Sequence, residues 1–445
     1  MTNSQMEYVK RNQVKPSNLN IGRWQASTLA VSFVVGASIL VLPTLAFEIA
    51  GPIGSIWAWL AMTAMTIPLI LIFVDLGIRD FQLGGIGDYC KASLGKWSEL
   101  GVHLTLLSAL LFGIPAIVWI TAGFFQKVIG IGNEWLPVLA HSILIALSLN
   151  NMRPIRSSTR IALLSFFVLI SIVFLVITLN LGAFEVGLKE FLGTIFQITS
   201  WKSFNSGDAS VIWENSLKAS VLVFFGYVGW ESLTLCLKDL EDREKNIPFV
   251  YWASFVSVAV LYFALALTVS GAATSGLNLS GEEGILKLIS WKPLRFTLSV
   301  VMLVVLLANV NAWLLGGSRQ LYQFFCSGLL PESSWTRSLA TVDYRGVPRH
   351  AVVLYSVLGT FLLLGLDLGW ISVSGLILFV NQNWIVLYGG ILLHYFQQAK
   401  SLREYVIAFA AVMSFLILVS VFSWWLLVTL TYFLVSAGVR KFRFI

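Results

Sequence analysis

Charge is what this sequence has least of. Only 11% of its 445 residues are charged, against about a quarter in ordinary soluble domains, while 57% are hydrophobic and the mean hydropathy is +0.83. That deficit excludes a soluble multidomain enzyme and leaves a chain dissolved in lipid. Cysteine is also scarce: Cys90, Cys236 and Cys326 form neither a pairing set nor a ligand cluster, so neither a disulfide framework nor a metal site is expected. The first 23 residues lack the apolar core and small-residue cleavage site of a signal peptide and read as a cytoplasmic-type arm. HExxH, GxSxG and any cluster of histidines with carboxylates are missing, which makes enzyme the weakest functional class, and no cofactor is expected. "GGIGDY" follows a membrane run instead of a strand and lacks the full phosphate-loop spacing, and the sequon Asn278, Leu279, Ser280 matters only in a secretory pathway. The net charge of +7 is spread thinly instead of gathered in a stripe, so nucleic acid is not an expected partner.

What the chain has in abundance is long apolar runs. A helix crosses a bilayer with about 20 apolar residues. Runs of that kind fall at about 24–48, 54–76, 100–128, 134–150, 160–180, 214–237, 248–272, 296–326, 350–366, 369–391 and 404–439. The last is too long for one helix. Lys400 and Arg403 precede it and Arg440, Lys441 and Arg443 follow it, so two helices fit better, and the expected total is twelve. With the N-terminus inside, the only basic residues left outside are Lys127, Lys189, Lys202, Lys218, Lys287, Lys292 and Arg295, so both termini are expected in the cytoplasm. Two outer segments, about 181–213 and 273–295, mix apolar and polar residues as short interfacial helices do. The expected organisation is a cytoplasmic arm (1–23), one transmembrane domain (24–439) and a short cytoplasmic tail (440–445).

Two of these runs are interrupted by small residues. "VSFVVGASILVLP" places Gly36, Ala37 and Ser38 in mid-span, and "VFFGYVGWESL" places Gly226 and Gly229 three apart with Glu231 just beyond. Such residues either let helices pack closely or free backbone groups for a ligand. The matched pair, five spans apart, favours a site at an inverted repeat, where half-helix N-termini face a carboxylate and unwound carbonyls face an ammonium.

These stretches, together with "DLGIRDFQLGGIGDYCKASLG", "KDLEDREKNIP", "NAWLLGGSRQLYQFFCSGLLP" and "GVPRHAVVL", make the chain resemble the amino acid-polyamine-organocation transporters over nearly its whole length. Within them it looks most like the bacterial branch that exports methionine and branched-chain amino acids. The resemblance implies an all-α fold of the LeuT type. Its five-plus-five inverted repeat spans about 24–180 and 214–391, with helices 1 and 6 broken, two extra helices at about 404–439, and alternating access. Carried over by position, Val35, Gly36, Ala37 and Ser38 would receive the substrate carboxylate. Phe225, Gly226 and Tyr227, with Gly229, would receive the amino group and cover the side chain, and Trp313 would wall the pocket. Many relatives have glycine where this chain has Ser38, and the fifth span lacks the lysine that replaces sodium in some of them.

Glu231 is an acid set deep in a span, expected to act in proton coupling or gating, or else to brace the unwound backbone. Asp75 near Arg79 reads as a gate pair or a solvated boundary pair. His103 and His141 read as hydrogen-bonding residues more readily than as a relay. A pocket of small and aromatic residues without a free basic group suits neutral apolar amino acids: methionine, leucine, isoleucine and valine. The expected function is their secondary transport across a bacterial cytoplasmic membrane, with protons as the possible coupling ion. A sensor built on the same fold is the rival reading.

Overall fold

The computed structural model describes residues 22–80, 85–153, 158–198, 207–234, 237, 240–279, 284–331, 333–420 and 424–443. Most of the N-terminal arm, Cys236, Ser280 and the last two residues lie outside the described residues.

The described residues open with α1 (Arg23–Val34), pass through a 3-10 turn (Ala37–Leu40) and continue as α2 (Leu42–Arg79). α2 is two helical arms joined at Gly51, whose φ of +70° and ψ of −176° are open only to glycine. Pro52 follows at once, and its ring disfavours a helical residue before it. The first arm therefore completes the first apolar run, and the second forms the next span. The following helices are α3 (Ile86–Leu94), α4 (Glu99–Ile129), α5 (Leu136–Asn151), α6 (Ser158–Leu179) and α7 (Leu181–Ile198). α7 turns 77° away from α6, within the first of the two segments expected to hold interfacial helices. Next come α8 (Gly207–Val223), a 3-10 turn (Phe224–Tyr227) and the short α9 (Trp230–Thr234). The chain ends with α10 (Arg243–Thr274), α11 (Lys292–Cys326), α12 (Ser334–Leu339), α13 (Arg349–Asp367), α14 (Val373–Gln398), α15 (Leu402–Val419) and α16 (Leu426–Arg443). The long terminal run is thus divided between two helices, and Ser401 starts α15 with a reciprocal cap to Glu404.

Among the described residues, seven helices are each long and apolar enough to cross a membrane: α2, α4 with the turn before it, α10, α11, α13, α14 and α15. Twelve crossings are not shown: α1 has 12 residues and α8 has 17, each stopping at a break, α5 has 16, α6 and α7 form one bent pair, the apolar part of α16 is short, and two of the expected runs share α2.

α8 and α10 pack on α2, and α1 and α7 both lie along α10. α4, α5, α11 and α13 form a second group, and α14 packs across α4 and α3. At the α7–α10 crossing, Gly187 faces the Leu267 carbonyl and Gly271 faces the Ala183 carbonyl so closely that a Cβ on either would overlap backbone. Three consecutive amides, Asn381, Gln382 and Asn383, are buried in mid-α14. Asn381 Nδ2 donates to the Val221 carbonyl at 2.7 Å in the last turn of α8, where helix carbonyls need partners. Asn383 Oδ1 accepts from Thr429 of α16 at 2.8 Å.

Candidate substrate site

The two interruptions meet. α1 ends at Val35, and the Gly36 N–H turns to the Val34 carbonyl at 3.1 Å instead of the carbonyl four residues back. In the sixth run, the α-helix stops at Val223, Gly226 sits inside the 3-10 turn that follows, and the backbone then opens at extended Val228 and at Gly229 with φ +127°. A Cβ on Gly229 would lie 2.5 Å from the Phe33 carbonyl oxygen, so only a bare α-carbon lets the second break approach the end of α1.

A cavity of about 600 Å³ opens beside this junction. Val35 and Gly36 line it from the first break, Phe225, Gly229 and Glu231 from the second, and Trp313 from α11. Phe225 and Trp313 stack with centroids 5.9 Å apart. Ala37 and Ser38 lie in the 3-10 turn, with side chains outside what the structure describes. Gly226 and Tyr227 stand behind the cavity wall. The Gly226 α-carbon faces Tyr262 and Leu42. Tyr227 is buried against Trp59 and Tyr262, and because Thr63 Oγ1 donates to the Trp59 carbonyl at 2.8 Å, the Tyr227 hydroxyl is the donor in its 2.5 Å bond to Thr63.

Glu231 is 7% exposed, and one oxygen, Oε2, accepts both the Gly229 N–H at 3.0 Å and the Tyr388 hydroxyl at 2.5 Å. The carboxylate thereby ties the broken helix to α14. Tyr388 also borders a second cavity of about 40 Å³ with Thr66 and Ser414, room for a water molecule.

Asp75 and Arg79 are not paired to each other. Asp75 accepts from Tyr395 at 2.7 Å and lies 3.5 Å from Arg403, while Arg79 pairs with Glu404 at 2.5 Å. Asp80 meets His394 at 3.0 Å, so one end of α2 is tied to α14 and α15 by charged and polar contacts. His141 bonds the Pro137 carbonyl at 2.8 Å, and His103 lies against Phe324; neither lines the cavity. Among the described residues no group of three or more histidine, cysteine or acidic side chains is placed to hold a metal.

Sequence reading did not single out Asn309, Asn311 or Trp384, which also line the cavity, or Tyr388. The run of three amides before Trp384 was a usable signal, because such groups persist in a lipid-embedded helix only with partners.

A membrane chain with two broken helices meeting at a cavity has the architecture of a transporter. The sequence profile of the amino acid permease family matches residues 21–438, and the chain belongs to that family. It is a multi-pass membrane protein. It is 27% identical to the uncharacterized amino acid permease YecA of Bacillus subtilis over 69% of each chain. It is 29% identical to the L-methionine/branched-chain amino acid exporter YjeH of Escherichia coli over 27% of this chain and 28% of that one. It is 24% identical to the large neutral amino acids transporter small subunit 2 of Rattus norvegicus over 77% of this chain and 64% of that one. The fold is similar to a Na+-coupled sialic acid symporter described in a substrate-bound outward-open state, with a TM-score of 0.56 and 13% identity over 97% of this chain and 92% of that one.

Proposed function

We propose that this amino acid permease moves neutral apolar amino acids, methionine, leucine, isoleucine and valine, across a bacterial cytoplasmic membrane by alternating access. The observation that carries this reading is the wall of the large cavity. Among the described residues it has no basic side chain, its one acid already accepts two hydrogen bonds, and apolar groups such as Val34, Leu42, Ile117, Ile120 and Trp313 make up most of the rest. A cationic or acidic substrate side chain would be desolvated there without a counter-charge. The bared backbone at Val35, Gly36 and Gly229 suits the carboxylate and ammonium that every amino acid carries. Twelve crossings, an inverted repeat and cytoplasmic termini complete the proposal, supported by the apolar runs and the distribution of basic residues. Export is favoured by likeness to the Escherichia coli exporter.

Counterflow in proteoliposomes with a panel of labelled amino acids tests this. Methionine, leucine, isoleucine and valine should exchange, while lysine, putrescine and glutamate should not. Binding without exchange would overturn transport in favour of a sensor.

Glu231 is proposed as the proton-coupling or gating group. Glu231→Gln keeps an acceptor for Gly229 and Tyr388 but cannot titrate. Flux through this variant should lose the pH dependence of wild type. A retained pH profile would leave Glu231 as a brace.

A further inference from the structure

Three polar side chains around the large cavity are already engaged. Asn311 Oδ1 accepts from Asn150 and Asn151 of α5 at 3.1 and 3.0 Å, Ser32 donates to the Leu29 carbonyl at 2.7 Å, and Glu231 accepts two donors. Asn309 differs. It lines the cavity one helical turn before Trp313, and its carboxamide has no hydrogen-bond partner among the described residues. Other asparagines in this chain settle onto their own helix: Asn151 Nδ2 donates to the Leu147 carbonyl at 3.0 Å and Asn180 Nδ2 to the Val176 carbonyl at 2.8 Å. Asn309 makes no such bond. Its neighbours along the same face of α11 are apolar: Val305, Ala312, Trp313 and Gly316.

Water serves an amide in an open cavity. When a site closes around its substrate the water leaves, and an amide without a partner then lowers the affinity. An aliphatic side chain beside Asn309 offers nothing in return, whereas a side chain ending in an acceptor restores the lost bond.

We propose that Asn309 is a specificity-determining residue that extends the substrate range to neutral amino acids with a hydrogen-bond acceptor at the side-chain tip, and ranks these above aliphatic ones of similar length. The amide oxygen of glutamine is the strong case and the thioether of methionine the weak one. This inference rests on the amino acid transport reading and goes beyond it.

The test is competition binding to the purified full-length protein with glutamine, methionine and norleucine, which has a methylene where methionine has sulfur. Wild type should bind glutamine more tightly than norleucine. In Asn309→Leu the ratio of glutamine to norleucine affinity should fall at least about fivefold, the worth of one neutral hydrogen bond, with a smaller fall for methionine. Norleucine should bind the variant more tightly, because the amide no longer loses its water. An unchanged ratio overturns the assignment, and so does a wild type that does not prefer glutamine. Should Asn309→Leu fail to fold, Asn309→Ala gives the same reading, and an unchanged ratio there has the same force. If wild type binds none of these amino acids, the transport reading fails first, a result distinct from binding without a change in rank.

Discussion

Replacing Gly229 by alanine tests whether the junction of the two breaks builds the site. Two costs coincide at this position. A φ of +127° is open to glycine and strained for any residue with a Cβ, at about 1–3 kcal/mol. The added methyl would also start 2.5 Å from the Phe33 carbonyl oxygen, and because real Cβ contacts under 3.0 Å are essentially never found, one backbone must give by at least half an ångström. Neither partner is the free end of a flexible side chain. The combined cost is about 3 kcal/mol, equivalent to about a hundredfold in an equilibrium constant. It falls where α1 meets the second break, so substrate affinity should drop by that order and the thermal midpoint should fall as well. The comparison is Gly226→Ala three residues earlier. There the new Cβ would meet the Tyr262 hydroxyl at 3.2 Å and Leu42 Cδ1 at 3.3 Å, both side-chain ends that can yield by a few tenths of an ångström. Its loss should stay below about tenfold. Labelled-ligand binding and tryptophan-fluorescence melting of the purified variants give both quantities. Wild-type affinity in Gly229→Ala, or a heavier loss in Gly226→Ala, would refute the argument that Gly229 is the contact on which the site depends.

Trp313→Ala should weaken amino acid binding by about tenfold or more, since the ring lines the cavity and stacks on Phe225, whereas Trp424→Ala, at a residue 64% exposed near the start of α16, should change it less than twofold; equal effects would undo the aromatic assignment. Gly271→Val should lower the melting temperature and the yield of folded protein because its side chain would enter the Ala183 carbonyl. Gly182→Val meets nothing within 4 Å and should cost far less, so similar losses would mean that the α7–α10 crossing is not close-packed. Asp343, in the loop before α13, is held below the usual carboxylate range by the Val347 N–H and, further, by the Arg345 N–H and the nearby Arg349 and Arg345 charges. Its depressed value means that its contribution to loop order is complete above the ordinary carboxylate pKa and fades as the pH falls through the lowered one. Hydrogen-exchange protection at Arg345 and Val347, taken relative to the intrinsic rate at each pH, should therefore fall on acidification in wild type and be low at every pH in Asp343→Ala; pH-independent protection in wild type would contradict this.

The long apolar helices were legible because lipid imposes a simple rule, about 20 apolar residues per crossing, and local composition satisfies it without knowledge of any neighbour. The first break was legible to within a residue for a related reason, since small residues in mid-span stand out against their surroundings. The second break was harder. Gly226 and Gly229 look alike in the sequence, and what distinguishes them is the Phe33 carbonyl lying against Gly229, a contact more than 190 residues away along the chain. The Asp75 and Arg79 pair, four residues apart on one helix, is what local spacing suggests. Partners on α14 and α15 took both side chains instead, as tertiary contacts override an i,i+4 pair worth only about half a kcal/mol.

Phe225 and Tyr227 show the same limit within three residues. Both were assigned to the substrate from one motif, yet the 3-10 turn presents Phe225 to the cavity and carries Tyr227 to the far side, where Thr63 accepts its hydroxyl proton and Trp59 and Tyr262 enclose the ring. In a 3-10 turn successive residues are about 120° apart, so positions two apart cannot share a face. The register of that turn is fixed by where α8 stops. The stop in turn lies beside Asn381, which takes the Val221 carbonyl from another helix. A motif read by position alone therefore locates the unwound segment, and only the register of its turn decides which aromatic reaches a substrate.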